Sequence, residues 1–406
     1  MGGSSRTLIS DSDGLEVSRA EVRSLYVHAP FCPRRCNYCD FAVHVSSSSD
    51  RVAAWVEAIA GEWRHLETEG WVAVAERLDT LFVGGGTPSQ LGPTAMDGLA
   101  AIFGSERLSG PDLEWTAEAN PESFTPEVAE AWSAAGVNRI SLGVQSFDES
   151  VLRWMGRLHG ADGSEAAVRT ARDAGIPNLS FDLIFGLPAR LARDWSSDLD
   201  RALDLEPPHV SLYGLTVEPG THLGRAVDEG REVPLGEDRY REEYLLAVDR
   251  LTEAGYTHYE VSNFARDGLV SRHNSVYWSG APYLGLGNGA HSFSTPVRRW
   301  NLREWESYRT RAVDGISPVG DREVLNAEAL LLERVWLALR TSDGLDLDGT
   351  NQPTRAVVDR WAHAGLARVD ANRVVLTARG WLVMDQLTVE LDDVLTRDST
   401  FSDLEV

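Results

Sequence analysis

The sequence predicts an α/β protein whose main body is a parallel sheet covered by helices. From residue 23 onward, six short runs rich in apolar and β-branched residues alternate with amphipathic stretches, which is the pattern of βα units in series. Such units join one sheet through right-handed crossovers. The pattern fits either a closed eight-stranded barrel or an open sheet of six units. Both forms place functional residues at the carboxyl ends of the strands.

The individual elements follow from this pattern in chain order. The predicted strands are 25–28, 78–83, 113–119, 139–144, 179–185 and 210–215. The predicted crossover helices are 50–69, 126–135, 164–174 and 191–205. A further helix is predicted over 235–254, and the glycine-dense stretch after it, up to residue 319, is predicted to contain functional loops.

A second, mainly helical domain is predicted to begin at residue 320. Helical periodicity over 323–339, 354–364 and 378–387 surrounds two short strand patterns at 366–369 and 373–376, an order that resembles a winged helix. The predicted division of the chain is a disordered tail at 1–22, a core at 23–319, the C-terminal domain at 320–390 and an acidic tail at 391–406.

The composition excludes several classes of function. Acidic residues outnumber basic ones by 62 to 38, which gives a net charge of −24, so a nucleic-acid partner is not expected. The chain contains no lysine, which excludes Schiff-base and PLP chemistry and a P-loop. The N-terminal residues show no secretory signal, and no apolar run is long enough to predict a transmembrane span. A cytoplasmic location, where thiols stay reduced, is therefore expected.

All three cysteines lie close together at Cys32, Cys36 and Cys39, in a C-x₃-C-x₂-C pattern. Thiolates this close can converge on one metal centre, and a cubane iron–sulfur cluster ordinarily has four cysteine ligands. One iron would then lack a protein ligand and could bind a substrate or cofactor. The alternatives are a zinc site completed by His28 or His44 and three unrelated buried thiols.

Glycine and polar residues follow several of the predicted strands. These segments are 84–88, 118–121, 145–146 and 186–188, and Asp182 lies within the fifth strand. Each segment alone is typical of a tight turn or a cap. Because the carboxyl ends of parallel strands lie at one edge of the sheet, the segments together predict a ligand site there.

The string Tyr26-Val-His-Ala-Pro-Phe-Cys32 and the cysteine pattern that follows it resemble the radical S-adenosylmethionine (SAM) superfamily. The wider string resembles its HemN/HemW branch, which contains oxygen-independent coproporphyrinogen III oxidases and heme chaperones. This resemblance implies a partial (β/α)6 TIM-like barrel, with a [4Fe–4S] cluster on the three cysteines and SAM on the fourth iron. In the superfamily, one-electron reduction of the cluster cleaves SAM to a radical that abstracts hydrogen from the substrate.

The resemblance also implies which residues contact SAM. They are Tyr26, Tyr38, Gly85, Gly86, Thr87, Glu118, Gln145, Arg157 and Asp182. The two glycines would let the backbone approach the amino group of SAM, which a Cβ would block. Glu118 would hold the ammonium group or the ribose hydroxyls. Arg157, considered without the resemblance, could equally be a solvated arginine on a helix.

The string His273-Asn-Ser-Val-Tyr277-Trp278 matches the H-N-x-x-Y-W motif associated with heme in this branch. The resemblance implies that His273 ligates heme iron and that Tyr277 and Trp278 cover a face of the macrocycle. Arg272 could meet a propionate, and His291 is the second candidate ligand. From the residues alone, a histidine bonded inside a loop with aromatic neighbours in the core is the alternative.

The resemblance therefore implies a heme chaperone that binds a [4Fe–4S] cluster, SAM and heme and transfers heme to client proteins. An electron donor for the cluster, a homodimer and a peripheral membrane contact are compatible with it. The alternative is an enzyme, an oxygen-independent coproporphyrinogen III oxidase or another radical SAM catalyst acting on a tetrapyrrole. The oxidase has a further cysteine two residues after the third, where this chain has Phe41, which argues against decarboxylation. A zinc-stabilised structural module is the third hypothesis.

Replacing Cys32, Cys36 or Cys39 by Ala should abolish the charge-transfer absorption of the reconstituted cluster, because each thiolate holds a different iron. The measurement is absorption after anaerobic reconstitution with iron and sulfide. Stoichiometric zinc without labile sulfide in the anaerobically prepared wild-type chain would contradict the cluster.

Overall fold

The structure, a computed structural model, describes residues 8–10, 16–18, 20–46 and 50–396. Most of the predicted N-terminal tail and residues 397–406 of the predicted acidic tail lie outside the described residues. In the part that is described, no helix combines the length and the apolar character needed to span a membrane.

The described strands and helices alternate along most of the chain. The strands are β1 (Leu8–Ser10), β2 (Glu16–Ser18), β3 (Glu21–Val22), β4 (Ser24–Ala29), β5 (Phe31–Cys32), β6 (His44–Val45), β7 (Ala73–Val74), β8 (Thr80–Gly85), β9 (Glu114–Ala119), β10 (Arg139–Gln145), β11 (Asn178–Phe185), β12 (His209–Gly214), β13 (Thr257–Glu260), β14 (Asn263–Ala265), β15 (Leu284–Leu286), β16 (His291–Ser294), β17 (Val297–Asn301), β18 (Val319–Val324), β19 (Leu345–Asp346), β20 (Ala367–Asp370) and β21 (Arg373–Leu376). The helices are α1 (Arg51–Glu69), α2 (Ala95–Phe103), α3 (Pro126–Ala135), α4 (Glu149–Met155), α5 (Gly163–Asp173), α6 (Trp195–Asp204), α7 (His222–Asp228), α8 (Glu237–Glu253), α9 (Arg272–Ser279), α10 (Trp305–Val313), α11 (Ala327–Arg340), α12 (Gln352–His363), α13 (Ala378–Trp381) and α14 (Met384–Leu395). Short 3-10 helices lie at Pro88–Leu91 and Ala189–Leu191.

The six predicted core strands are all present as β4, β8, β9, β10, β11 and β12, with ends shifted by no more than two residues. Helix α6 begins later than predicted because Asp194 caps it, its side chain accepting from the Ser197 N–H. Likewise, α11 begins after the cap Asn326, and the residues predicted to start it form β18 instead. The expectation of loops around His273 was wrong, because residues 272–279 form α9.

The chain divides into two compact units, one formed by residues up to 144, 153–179 and 281–324 and the other by 145–152, 180–280 and residues from 325. In the first unit, five parallel strands lie in the order β15, β4, β8, β9, β10. Helices carry large buried side chains such as Trp55, Met96 and Trp132. The loops after β4, β8 and β9 therefore leave the same edge of this sheet.

The second unit contains β11 and β12 as a parallel pair, extended by antiparallel β14 and β13. Its C-terminal part has a core of its own, in which Leu339, Trp361 and Leu391 are almost completely buried. Helices α11, α12 and α14 accompany the antiparallel sheet of β19, β21 and β20, as the winged-helix prediction requires. The predicted domain boundary at residue 320 stays a prediction.

A buried carboxylate holds β15 and the strand hairpin after it in the first unit. Glu62 accepts hydrogen bonds from the Gly287 N–H at 2.8 Å, from the Tyr308 hydroxyl at 2.6 Å and from the Asn301 side-chain amide at 2.6 Å. Burial raises the pKa of Glu62 to about 7, although these three donors oppose the shift. A Cβ on Gly287 would lie 2.7 Å from the carbonyl oxygen of His28. Glycine at this position therefore allows the chain after β15 to pack closely against β4, the strand that leads into the cysteine loop.

Replacing Tyr308 by Phe should lower the free energy of unfolding by about 2 kcal/mol at alkaline pH, because the buried Glu62 carboxylate loses a donor. A donor stabilises the charged carboxylate more than the neutral acid, so the loss should grow as the pH rises through about 7, where Glu62 ionises. Chemical denaturation at roughly pH 5.5 and pH 8.5 measures this difference.

The matched control is Tyr256→Phe, because the Tyr256 hydroxyl donates to the neutral carbonyl of Pro207. Its effect on the free energy of unfolding should be the same at both pH values. An equally pH-independent loss in Tyr308→Phe would show that Glu62 does not titrate in this range.

Candidate functional site

The three cysteines lie in the loop that leaves the carboxyl end of β4. Cys32 ends the two-residue strand β5, while Cys36 and Cys39 lie in the turns that follow. All three thiols are free and half-buried. The loop is tied to the last turn of α4 by Asn37, whose side-chain amide donates to the Trp154 carbonyl at 2.7 Å. These contacts hold all three sulfurs near one edge of the sheet.

The zinc alternative that His28 would complete does not fit the structure. The Nε2 of His28 donates to the Ala42 carbonyl at 3.1 Å, so its Nδ1 accepts from the Tyr26 hydroxyl at 3.0 Å. Burial lowers the pKa of His28 to about 4, which keeps the ring neutral. Among the residues that the structure describes, no three His, Cys, Asp or Glu side chains converge on a point where one ion could bind. Ligation of a cluster by the three thiolates stays a prediction.

Cys32 is the cysteine whose surroundings are most sharply defined. Burial raises the pKa of its thiol to about 11, against the opposing effect of a hydrogen bond with Thr87. The sulfur lies 3.4 Å from the Thr87 hydroxyl oxygen, and that side chain is only 3 % exposed. Thr87 therefore borders Cys32, a predicted cluster ligand, in addition to its predicted place along SAM.

The glycines after β8 are required by the packing of the protein itself. A Cβ on Gly86 would lie 2.7 Å from the carbonyl carbon and oxygen of Pro30, next to the cysteine loop. Gly85 has a φ of 111°, and its Cβ would meet the His28 ring at 2.3 Å. These glycines were predicted because they leave space for a ligand. The structure adds a second requirement for glycine, which is the close approach of β8 to β4.

Glu118 and Tyr26 occupy the same edge of the sheet. Glu118 lies near the end of β9, half-buried, and its carboxylate accepts from the Gly85 N–H at 3.0 Å. Tyr26 lies in β4 and stacks on Phe82 with 6.1 Å between ring centres. A half-buried carboxylate beside a glycine loop can bind an ammonium group or a pair of hydroxyls.

Arg157 is part of the site and not a solvated helix arginine. Its guanidinium donates to the Asn120 side-chain oxygen at 2.5 Å and to the Gly143 carbonyl at 2.8 Å. Burial alone would lower the pKa of Arg157, but attraction to Tyr38 and Cys36 outweighs this and raises it. Among the described residues, its Nε has no hydrogen-bond partner. A buried donor of this kind fits an anionic group such as a carboxylate.

Tyr38 lies between the second and third cysteines and next to Arg157. Burial raises the pKa of its hydroxyl, although the nearby guanidinium acts in the opposite direction. The first unit therefore brings together seven of the nine predicted SAM residues, namely Tyr26, Tyr38, Gly85, Gly86, Thr87, Glu118 and Arg157.

The other two predicted SAM residues, Gln145 and Asp182, belong to the second unit. Gln145 ends β10 with a φ of 65°, a conformation that is uncommon for residues other than glycine. The residues after it are held by Asp198, whose carboxylate accepts from the Ser146 hydroxyl at 2.6 Å and the Phe147 N–H at 2.9 Å. Asp182 lies half-buried in β11.

The predicted heme residues lie on α9, and the lead histidine is buried. His273 is 1 % exposed, and its Nε2 is 2.8 Å from the Tyr277 hydroxyl oxygen one turn further on. Trp278 is half-buried, with the Arg340 guanidinium 4.1 Å from its ring centre. Because Arg340 also pairs with the buried Glu260 at 3.1 Å, one side of Trp278 packs against α11 of the C-terminal part.

His291, the second candidate, has the opposite environment. It begins β16 in the first unit, its side chain is exposed, and its ring stacks on Trp300 with 5.5 Å between centres. Burial and the positive charge of Arg298 lower the pKa of His291. The structure therefore presents one candidate histidine to solvent and encloses the other.

The comparisons with known proteins agree with this architecture. Residues 26–202 match the family model of the Radical SAM superfamily. This is the class of protein that the parallel sheet and the cysteine loop define.

The relatives place the chain more narrowly. It is 36 % identical over 374 residues to the heme chaperone HemW of Mycobacterium tuberculosis, covering 92 % of this chain and 95 % of that protein. It is 31 % identical to the heme chaperone HemW of Bacillus subtilis, covering 90 % and 98 %. The mitochondrial radical S-adenosyl methionine domain-containing protein 1 of Bos taurus is 38 % identical, covering 91 % and 87 %. The chain therefore belongs to the HemW family of the radical SAM superfamily.

A solved structure confirms the fold. Coproporphyrinogen III oxidase (HemN) from Escherichia coli superposes with a TM-score of 0.76 at 22 % identity, covering 92 % of this chain and 90 % of the other. At that identity the likeness concerns the fold alone. It confirms the predicted radical SAM barrel with its C-terminal extension.

Two residues of the site were not among those predicted to contact a cofactor. Asn120 joins Arg157 to Thr87, since its amide nitrogen donates to the Thr87 hydroxyl oxygen at 3.1 Å. His28 holds Tyr26 and the cysteine loop together. Both belong to strings that the sequence analysis quoted, 118–121 and 26–32, but their roles depend on partners distant in sequence.

Alkylation of Cys32 in the cluster-free, reduced protein should become about tenfold faster per pH unit between roughly pH 7 and pH 9, without reaching a plateau. The reason is that only the thiolate reacts, and the pKa of Cys32 is raised to about 11. Mass spectrometry of the Cys32 peptide measures the rate. The same peptide in the denatured chain is the control, and its rate should level off near pH 9. A plateau below pH 9 in the native protein would contradict the buried environment.

Proposed function

We propose that this protein is a heme chaperone that binds a [4Fe–4S] cluster, SAM and heme and transfers heme to client proteins. The carrying observation is the combination, in one chain, of the half-buried cysteine loop with the His273 to Trp278 motif on α9. Membership of a family whose relatives are named heme chaperones supports the proposal.

The cluster would be held by Cys32, Cys36 and Cys39. Such a cluster supplies one-electron reduction when it is bound. The protein contributes a half-buried loop that limits water access and a cationic neighbour, Arg157, that offsets the negative charge of thiolates. Phe41 follows the loop with 65 % of its surface exposed. Phe41 cannot supply a fourth thiolate, which argues against the alternative that the protein is a coproporphyrinogen III oxidase.

SAM would occupy the edge formed by β4, β8 and β9. The Glu118 carboxylate, which accepts from the Gly85 N–H, would also accept from the ammonium group, and the buried Nε of Arg157 would donate to the carboxylate. Tyr26 and Tyr38 would border the ligand as aromatic surfaces. Gln145 and Asp182, which belong to the second unit, stay predicted SAM residues.

Heme would be ligated by His273, which must first release its hydrogen bond to Tyr277. The exchange costs one neutral hydrogen bond, about 1 kcal/mol, which an iron–nitrogen bond can offset. The exposed Arg272 at the start of α9 would meet a propionate. Tyr277 and Trp278 would cover part of the macrocycle.

Heme titration followed by Soret absorption should separate the candidate ligands. His273→Ala should shift the Soret band and weaken heme binding. Tyr277→Phe should bind heme about fivefold more tightly, because the Tyr277 hydroxyl no longer competes with iron for Nε2 of His273 while the aromatic ring is kept. His291→Ala, the matched histidine control, should bind as the wild type does. Iron and sulfide content should be equal in all four proteins.

Other results would change the assignment of the heme ligand or of the function. A wild-type Soret band in His273→Ala together with a shifted band in His291→Ala would make the exposed histidine the ligand. If both histidine variants bind heme normally and fail to change its transfer to an apo-client, the chaperone proposal loses its main support. Decarboxylation of coproporphyrinogen by the reconstituted wild type would instead favour the oxidase.

A further inference from the structure

A continuous chain of hydrogen bonds connects a buried cation to a cluster cysteine within the first unit. The Arg157 guanidinium donates to Oδ1 of Asn120 at 2.5 Å, and Nδ2 of Asn120 donates to Oγ1 of Thr87 at 3.1 Å. The Thr87 oxygen lies 3.4 Å from the sulfur of Cys32. Four segments, those after β4, β8, β9 and α4, meet in this chain of hydrogen bonds.

The chemistry of the groups determines which partner donates in each of these hydrogen bonds. A guanidinium can only donate, so Asn120 presents its oxygen to Arg157 and its NH₂ group to Thr87. The Thr87 oxygen is then an acceptor toward Asn120, which leaves its own hydrogen for another partner. A cysteine that ligates iron is a thiolate and cannot donate. The Thr87 hydroxyl must therefore donate to Cys32 when the cluster is bound.

The packing keeps this arrangement in place. Thr87 is 3 % exposed, and its N–H donates to the Phe31 carbonyl at 2.9 Å, beside Cys32. The backbone N–H of Asn120 donates to the Ser89 hydroxyl at 3.1 Å. Both middle residues are thus fixed by their backbones, so water does not readily replace the side-chain contacts.

The three cysteines differ in the donors that reach them. Cys32 faces the Thr87 hydroxyl, and Cys36 lies against the Arg157 guanidinium. Cys39 faces the backbone N–H of Phe41. One network that begins at Arg157 therefore supplies side-chain donors to two of the three sulfurs.

We propose that Thr87 and Asn120 are positioning residues that set the reduction potential of the cluster. The hydrogen bonds that begin at Arg157 and pass through Asn120 orient the Thr87 hydroxyl so that it donates to Cys32. The inference rests on the proposed cluster ligation by Cys32, Cys36 and Cys39. The one-electron reduced cluster carries one more negative charge than the oxidised cluster. Donors to its sulfurs stabilise the reduced form more and raise the potential.

The test is a redox titration of reconstituted protein, with the electron paramagnetic resonance signal of the reduced cluster as the readout. Thr87→Val keeps the shape of the side chain and removes the donor, so its potential should be more negative than that of the wild type. Thr87→Ser keeps the hydroxyl and should restore the wild-type potential. Thr68→Val makes the same chemical change on an exposed part of α1, and it should leave the potential unchanged.

A second variant tests the chain one step away from the cysteine. Asn120→Asp keeps an acceptor for Arg157 but removes the NH₂ donor, so Thr87 would turn its hydrogen toward the new carboxylate. Its potential should also be more negative than that of the wild type. Wild-type potentials in both Thr87→Val and Asn120→Asp, at normal iron and sulfide content, would overturn the proposal.

Iron and sulfide content distinguishes this outcome from failure of the proposed function. A wild-type chain that assembles no cluster refutes the ligation itself and with it the network. A cluster that assembles in all variants with one common potential refutes the network alone.

Discussion

The buried guanidinium of Arg157 is the charge around which the cysteine loop is organised. It binds the ends of β9 and β10 through Asn120 and Gly143 and lies against Cys36 and Tyr38. A buried cation is costly unless anionic or polar groups surround it. The raised pKa of Cys32 means that this thiol is protonated at neutral pH in the absence of iron. Thiolates bound to a cluster would add negative charge beside Arg157 to that of the Glu122 carboxylate, which already attracts it.

The core strands could be predicted closely because strands of a parallel sheet are buried on both faces and so have a strong local signal. The misses had local causes. Helix α2 (Ala95–Phe103) was not predicted because it is apolar over most of its surface and shows no clear polar face. β15 has only three residues between glycine-rich segments. Helix α9 was taken for loop, since its aromatic residues have modest helix propensity, although Ser271 is a regular N-cap.

The site could be predicted as a set of residues but not as a network. The cysteine spacing and the glycine loop are local patterns, and the structure places both at one edge of the first unit's sheet. Thr87 and Cys32 are 55 positions apart, and Asn120 and Thr87 are 33 apart. Their contacts depend on the register that sets Ala29 opposite Gly85. The periodicity of the sequence does not reveal the register between strands. The donors to each sulfur can therefore be identified only from the structure.

The enclosed position of His273 bears on how a chaperone can release its cargo. A carrier must hold heme firmly enough to collect it and loosely enough to give it up. If His273 ligates heme as proposed, its hydrogen bond to Tyr277 would reduce the apparent affinity for heme to the fraction of molecules in which that bond is open. The same hydrogen bond would re-form when heme leaves and offset part of the cost of breaking the iron–nitrogen bond. Competition between iron and the Tyr277 hydroxyl, one helical turn from His273, would thus make heme binding by α9 more readily reversible.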